Sequence, residues 1–146
     1  DRCKYGYTAD DGDFISGYNY FYLNFCPIQR IIYTTINNPD GSTKIKKTRD
    51  YSFQTSTITT IIFQAVEDAE GEGKHLCALK SRRKGYSYKN AAMACRNYYL
   101  FAGSKTYIYA SNKQYLTEDG ILTKAWDYMD FIDKNTAWGK KRSVNT

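Results

Sequence analysis

Gly17-Tyr18-Asn19-Tyr20-Phe21-Tyr22-Leu23-Asn24-Phe25 is the stretch on which the fold turns. Read with a period of two, Phe21, Leu23 and Phe25 point one way, and Tyr18, Tyr20, Tyr22 and Asn24 point the other. That alternation predicts a strand with an apolar face and a tyrosine face. Pro27 breaks it, one residue after Cys26. The tyrosine face has two possible fates. Covered by a helix, its hydroxyls reach polar partners at the edge. Left open, Tyr18, Tyr20 and Tyr22 form a flat amphipathic contact area suited to protein or sugar partners.

Working outward from this stretch, more strands are expected. Residues Gln29–Ile36 are rich in Ile and Thr, and Asn37-Asn38-Pro39-Asp40-Gly41-Ser42 is a strong turn signal. Pro fixes φ and Gly supplies positive φ, so Thr43–Phe53 returns as the partner strand of a hairpin. Thr57–Val66 carries Ile58, Ile61, Ile62 and Phe63 on both faces, as a central strand would. Glu67–Gly73 is an acidic turn, and His75–Leu79 is a short strand holding Cys77. Ser87 is a candidate N-cap for a helix over Tyr88–Phe101, with Gly103 placed to end it. Tyr88, Ala91/Ala92, Cys95 and Tyr98/Tyr99 share one stripe of that helix. Thr106–Ser111 and Gln114–Lys124 read as strands around an Asp119-Gly120 turn, while Trp126–Asp133 fits helix or strand. The expected fold is a single α+β domain over 1–146. Its mostly antiparallel sheet carries one principal helix and is stapled by disulfides. Residues 1–16 form an acidic, turn-rich N-terminal loop, and 138–146 a frayed basic tail.

Composition narrows the chemistry. The chain has 146 residues, 15 Tyr, 4 Cys, 1 His and a formal net charge of +6. One His excludes a two-histidine acid–base pair and a His-rich metal site. No apolar run approaches the ~18–20 residues of a membrane span. No nucleophile elbow, phosphate-binding loop or dinucleotide fingerprint is present, and no cofactor is implied. His75 follows Glu67, Asp68, Glu70 and Glu72, so a carboxylate–imidazole pair is conceivable, against the plainer reading of a solvated turn. Catalysis by paired carboxylates points to no particular pair. No catalytic residue and no metal ligand are therefore assigned.

Cys3, Cys26, Cys77 and Cys95 lack Cys-x-x-Cys spacing. An even count in a short chain beginning at Asp1 fits two disulfides in a secreted protein, each contributing ~3 kcal/mol. Cys3–Cys26 and Cys77–Cys95 are the favoured pairs, because Cys95 faces inward on its helix toward the strand of Cys77. The alternative is four reduced thiols.

The basic residues cluster. Lys44, Lys46, Lys47 and Arg49 share one strand, and Lys80, Arg82, Arg83 and Lys84 form a loop before Tyr86 and Tyr88. Lys140-Lys141-Arg142 sit near the end of the chain and also read as a dibasic processing site. Cations interleaved with aromatics suit phosphate contact and base stacking, so RNA or another anionic surface is a candidate partner. The plainer reading is a solubilising surface.

Residues 75–98 resemble the opening of the fungal ribonuclease-like secreted proteins, the scaffold of many cereal-mildew effectors. The likeness lies in Cys77, in Tyr86-Ser87 before a helix, and in Ala91, Ala94 and Cys95 within it. Here the stretch lies mid-chain, and His75-Leu76-Cys77 replaces the family's Tyr-x-Cys. The active family uses His and Glu with Arg, so one His carries over no catalytic residue. The resemblance implies a secreted, non-enzymatic pathogen effector recognised by a host protein such as an immune receptor. Its surfaces would be the Tyr18/Tyr20/Tyr22 face and the 80–88 loop. The alternatives are an RNA-binding or degenerate ribonuclease-like protein, and a small hydrolase using carboxylates.

Overall fold

The computed structural model describes residues 1–37, 39, 41–53, 56–81 and 84–143, and only the backbone at 30, 31 and 49–51. Its elements run α1 (Arg2–Tyr5), β1 (Tyr7–Thr8), β2 (Phe14–Ile15), α2 (Gly17–Phe25), β3 (Ile28–Asn37), β4 (Thr43–Ser52), α3 (Thr57–Gly71), α4 (Tyr86–Leu100), α5 (Gln114–Thr117) and α6 (Ile121–Asn135). Helices build the body, and the strands form two separate antiparallel pairs, β1–β2 and β3–β4.

The expected antiparallel sheet with one principal helix is therefore corrected. The stretch 17–25 is a helix, because its residues also satisfy the other period. Tyr18, Phe21, Tyr22 and Phe25 fall at i, i+3, i+4 and i+7, one helical face. Ser16 decides between the two, since its Oγ accepts from Asn19 N at 3.2 Å and caps the first turn. Residues 57–66 turn helical for the same reason. Ser56 Oγ accepts from Thr59 N, while Thr59 and Phe63 face inward. The acidic stretch from Glu67 then continues α3 to Gly71. The strands expected at 75–79 and 106–111 do not form. Residues 114–124 divide between α5 and the start of α6, with Gly120 as the N-cap of α6 where a hairpin turn was expected. Trp126–Asp133 lies within α6.

Two expectations hold in outline. The helix expected at 88–101 is α4, starting slightly earlier with Gly85 as N-cap at φ 66. The hairpin is β3–β4, with Ile36 opposite Lys44 and Ile28 opposite Ser52. Asn38 and Asp40 of its turn lie outside the described residues, and Gly41 takes φ 81.

The core joins α2, α4 and α6, with α3 closing over α2. Phe21, Tyr22, Phe63, Ala91, Ala92, Cys95, Tyr128 and Ile132 are buried. Small side chains on α4 allow close approach, so that Cys95 Sγ donates to the Ala125 carbonyl of α6 at 3.3 Å. The disulfide expectation is corrected here. Cys3, Cys26, Cys77 and Cys95 are all free thiols. Cys95 points into the helix seam, while Cys77 lies exposed in an irregular segment, so the expected strand that would join them does not exist. Burial, followed by the neighbouring Cys95 and Cys3, pushes the Cys26 thiol up. Burial also pushes Cys95 up to about 12.

Candidate functional site

The most exposed regular element is the β3–β4 arm. Its base is fixed to the body, where Ile28 packs against the core and Phe53 meets Phe131 edge-on at 5.8 Å. Beyond that base, every described side chain over 32–37 and 41–48 is exposed, on both faces of the ribbon. Residues opposite each other share a face. One face presents Ile32, Ile36, Lys44 and Lys46, and the other presents Tyr33, Ile45 and Lys47. Tyr33 is 64% exposed and Ile45 68%. Over 28–52 the sequence holds Arg30, Lys44, Lys46, Lys47 and Arg49 against Asp40 and Asp50. That is net +3, half of the chain's +6. Ten residues per strand make the arm about 33 Å long.

The tyrosine face expected to bind a partner is largely interior. Tyr18 and Tyr22 are each 3% exposed, and Tyr20 packs at the core's edge against Tyr7. A helix rotates these side chains by about 100° per residue, so the three do not form one face. Tyr18 Oη donates to Glu70 Oε1 at 2.7 Å, and Glu67 Oε1 accepts the Tyr18 backbone N–H. Burial, reinforced by the Glu70 hydrogen bond, pushes the Tyr18 hydroxyl up to about 12. Burial does the same for Tyr22, again to about 12.

The basic loop is divided. Lys80 and Lys84 are exposed, while Arg82 and Arg83 lie outside the described residues. Lys80 Nζ sits 5.9 Å from the Tyr86 ring centroid. Tyr88 is packed against the core and has Lys124 Nζ 4.9 Å from its ring. Thus Tyr86 and Tyr88 serve the start of α4 as much as the loop.

His75 is exposed in the irregular segment after α3. Glu67 and Glu70 hold Tyr18. Asp130 and Asp133 hold Arg142 Nη2 at 2.6 and 2.9 Å, and Asp133 also accepts from Tyr99 Oη at 2.6 Å. These four carboxylates do structural work. The basic tail is anchored as well. Trp138 packs on Phe25 at 4.9 Å, and Lys140 Nζ donates to the Tyr98 carbonyl.

No family model, curated protein or solved structure matches the chain.

Sequence reasoning located the lysines of the arm but missed Tyr33 and Ile45 beside them. The available signal was the alternation of Lys44, Lys46 and Thr48 against Ile45 and Lys47. No large apolar set on either face could bury this hairpin.

Proposed function

We propose that the protein is a non-enzymatic binding protein that engages nucleic acid with the β3–β4 arm. The observation carrying this reading is a two-stranded ribbon exposed on both faces, with lysines on each. The B-form major groove is about 12 Å wide and admits such a ribbon. Lysines on both faces can meet the phosphates of both groove walls, while Tyr33 and the isoleucines pack on sugars and thymine methyls. Duplex RNA has a deep, narrow major groove that excludes a ribbon, so this geometry favours B-form DNA over duplex RNA.

The test is the salt dependence of binding to a labelled DNA duplex, with duplex and single-stranded RNA in parallel. Replacing Lys44, Lys46 and Lys47 together by Gln is expected to flatten the log–log salt slope by roughly 2–3, as about three phosphate contacts are lost. The melting temperature should hold, because all three side chains are solvated. An unchanged slope, or DNA affinity no higher than background, defeats the reading.

A second reading keeps the arm and changes the partner. It follows the resemblance to secreted effectors, with a host protein adding a strand to an edge of the arm. The exposure of Tyr33 and Ile45 supports it. Ile45→Glu would then abolish capture of the host protein, whereas the salt slope on DNA would be flat in the unaltered chain.

A further inference from the structure

The two strands of the arm differ in how their outer edges are guarded. A free strand edge presents N–H and C=O groups that another strand can pair with, and charged side chains, lysine above all, deter that pairing. β4 carries Lys44, Lys46, Lys47 and Arg49 within 43–49. β3 carries no charge and no proline from Ile31 to Asn37, a run made almost wholly of Ile, Thr and Tyr. Those residue types favour strands. Each strand of this sheet has a neighbour on one side only. Among the described residues, none of 32–37 makes a backbone hydrogen bond outside the β3–β4 pair. Their side chains are all exposed.

The uncharged run is also complementary to itself. Two copies of one edge pair antiparallel about a two-fold axis perpendicular to the sheet, and that axis falls at a residue. Placed at Thr34, the middle of the run, it sets Ile32 opposite Ile36, Tyr33 opposite Thr35 and Thr34 opposite its own copy. Aromatic–β-branched and Thr–Thr pairs are stabilising cross-strand combinations, and the isoleucine pairs remove apolar surface from water. Lys46 lies opposite Thr34 on the other strand of the arm. The Lys46 positions of two copies would then stand three strand spacings apart, about 14 Å. That exceeds the ~8 Å screening length at physiological salt. Pairing through β4 would instead crowd the lysines of both copies together. A partner without this sequence gains the backbone bonds alone, whereas a second copy gains the side-chain pairs as well.

We propose that the arm joins two copies of this chain, β3 against β3 about a two-fold axis at Thr34, in a four-stranded antiparallel sheet ordered β4–β3–β3–β4. The assembly closes at two, because its outer edges are the lysine-bearing β4 strands. One strand pair buries less than the ~1,200 Å² at which standard interfaces begin, so the dimer is weak and forms with rising concentration. Such a sheet is wider than the ~12 Å major groove, so pairing and groove entry are alternatives for one arm. The pairing uses no nucleic acid and rests on neither reading of the arm's partner.

Sedimentation of the full chain from micromolar to millimolar concentration, reduced and free of nucleic acid, should show a monomer–dimer equilibrium and no larger species. Thr34→Lys sets like charges opposite each other at the axis and should weaken dimerisation about tenfold or more. Thr48→Lys adds the same charge on β4 and should leave dimerisation nearly unchanged. Both positions are exposed, so both variants should keep the melting temperature. Cross-linking reads the register in a Cys77→Ser background, which removes the exposed thiol. Thr34→Cys should oxidise to a covalent dimer, since directly opposite residues have Cα atoms ~4.5–5.5 Å apart, within disulfide reach. Lys46→Cys in the same background should not. A chain that stays monomeric throughout, growth beyond a dimer, undiminished dimerisation of Thr34→Lys, equal loss in Thr48→Lys, or cross-linking of Lys46→Cys as readily as Thr34→Cys would each overturn the proposal.

Discussion

Arg96 ties four parts of the chain together through a single side chain. Its Nε donates to the Cys3 carbonyl and its Nη2 to the Lys4 carbonyl, both at 2.8 Å. Its guanidinium carbon lies 3.8 Å from the Tyr18 ring centroid and 5.2 Å from that of Phe101. Arg96→Met keeps the apolar stem but strips two carbonyls of their donor. The expected loss is about 2–4 kcal/mol, measured from denaturant midpoints. The tyrosines set a second residue-scale behaviour. Tyr18 and Tyr22 are held near 12, above the ordinary value of 10.0, chiefly by burial. A group whose folded value is raised stabilises fully below its unfolded value and loses that contribution as pH climbs toward the folded one. Stability should therefore begin to fall near pH 9, where Cys26 and Cys95 ionise only in the unfolded chain, and fall more steeply between pH 10 and 12 as the tyrosines add to it. In that window, tyrosinate absorbance should rise together with the loss of helical circular dichroism. Ionisation of all 15 tyrosines without unfolding would contradict their burial.

At the scale of elements, α1, α2 and α4 meet at one glycine. A Cβ on Gly17 would stand 2.8 Å from the Lys4 carbonyl oxygen and 2.9 Å from that of Cys3. Those are the carbonyls that Arg96 holds. Gly17→Ala must therefore push α1 away and lengthen both Arg96 hydrogen bonds. It is expected to cost about 2 kcal/mol or more, as overpacking against backbone does. Its effect should be less than additive with Arg96→Met, because both changes break the same contacts. A double-mutant cycle measures this. The same neighbourhood explains what was legible in the sequence. The arm was readable because Pro39 and Gly41 fix a turn and the flanking strands are rich in Ile and Thr. Helix α4 was readable from its alanine run. Helices α2 and α3 were not, since 17–25 holds aromatic residues at five of nine positions and 57–66 holds β-branched or aromatic residues at eight of ten. Such stretches satisfy periods of 2 and 3.6 alike. Ser16 and Ser56 were the overlooked start signals, each three residues before the N–H it caps.

Across the whole molecule, four thiols replace the two expected bridges. Native protein should react with a thiol reagent quickly at Cys77 alone, with Cys3, Cys26 and Cys95 reacting only on unfolding, and reduction should leave the intact mass unchanged. A mass gain on reduction would contradict the free-thiol core. The candidate site was half legible. Lys44, Lys46 and Lys47 stood out as a charged strand, yet their presentation on a free arm depends on the body burying other residues first. Composition by itself determined a basic chain with one histidine, too few for histidine-pair chemistry, and turn chemistry determined the hairpin. Only tertiary structure decided which period the aromatic stretches obey. Helix caps and close α4–α6 packing bury Tyr18, Tyr22, Tyr128 and the three core cysteines better than a sheet face would. Tertiary structure also decided that Tyr18, Tyr22 and Tyr128 hold the interior while Lys44, Lys46 and Lys47 face solvent. A side chain's availability to a partner is set by what packs against it, and that packing comes from residues distant in sequence.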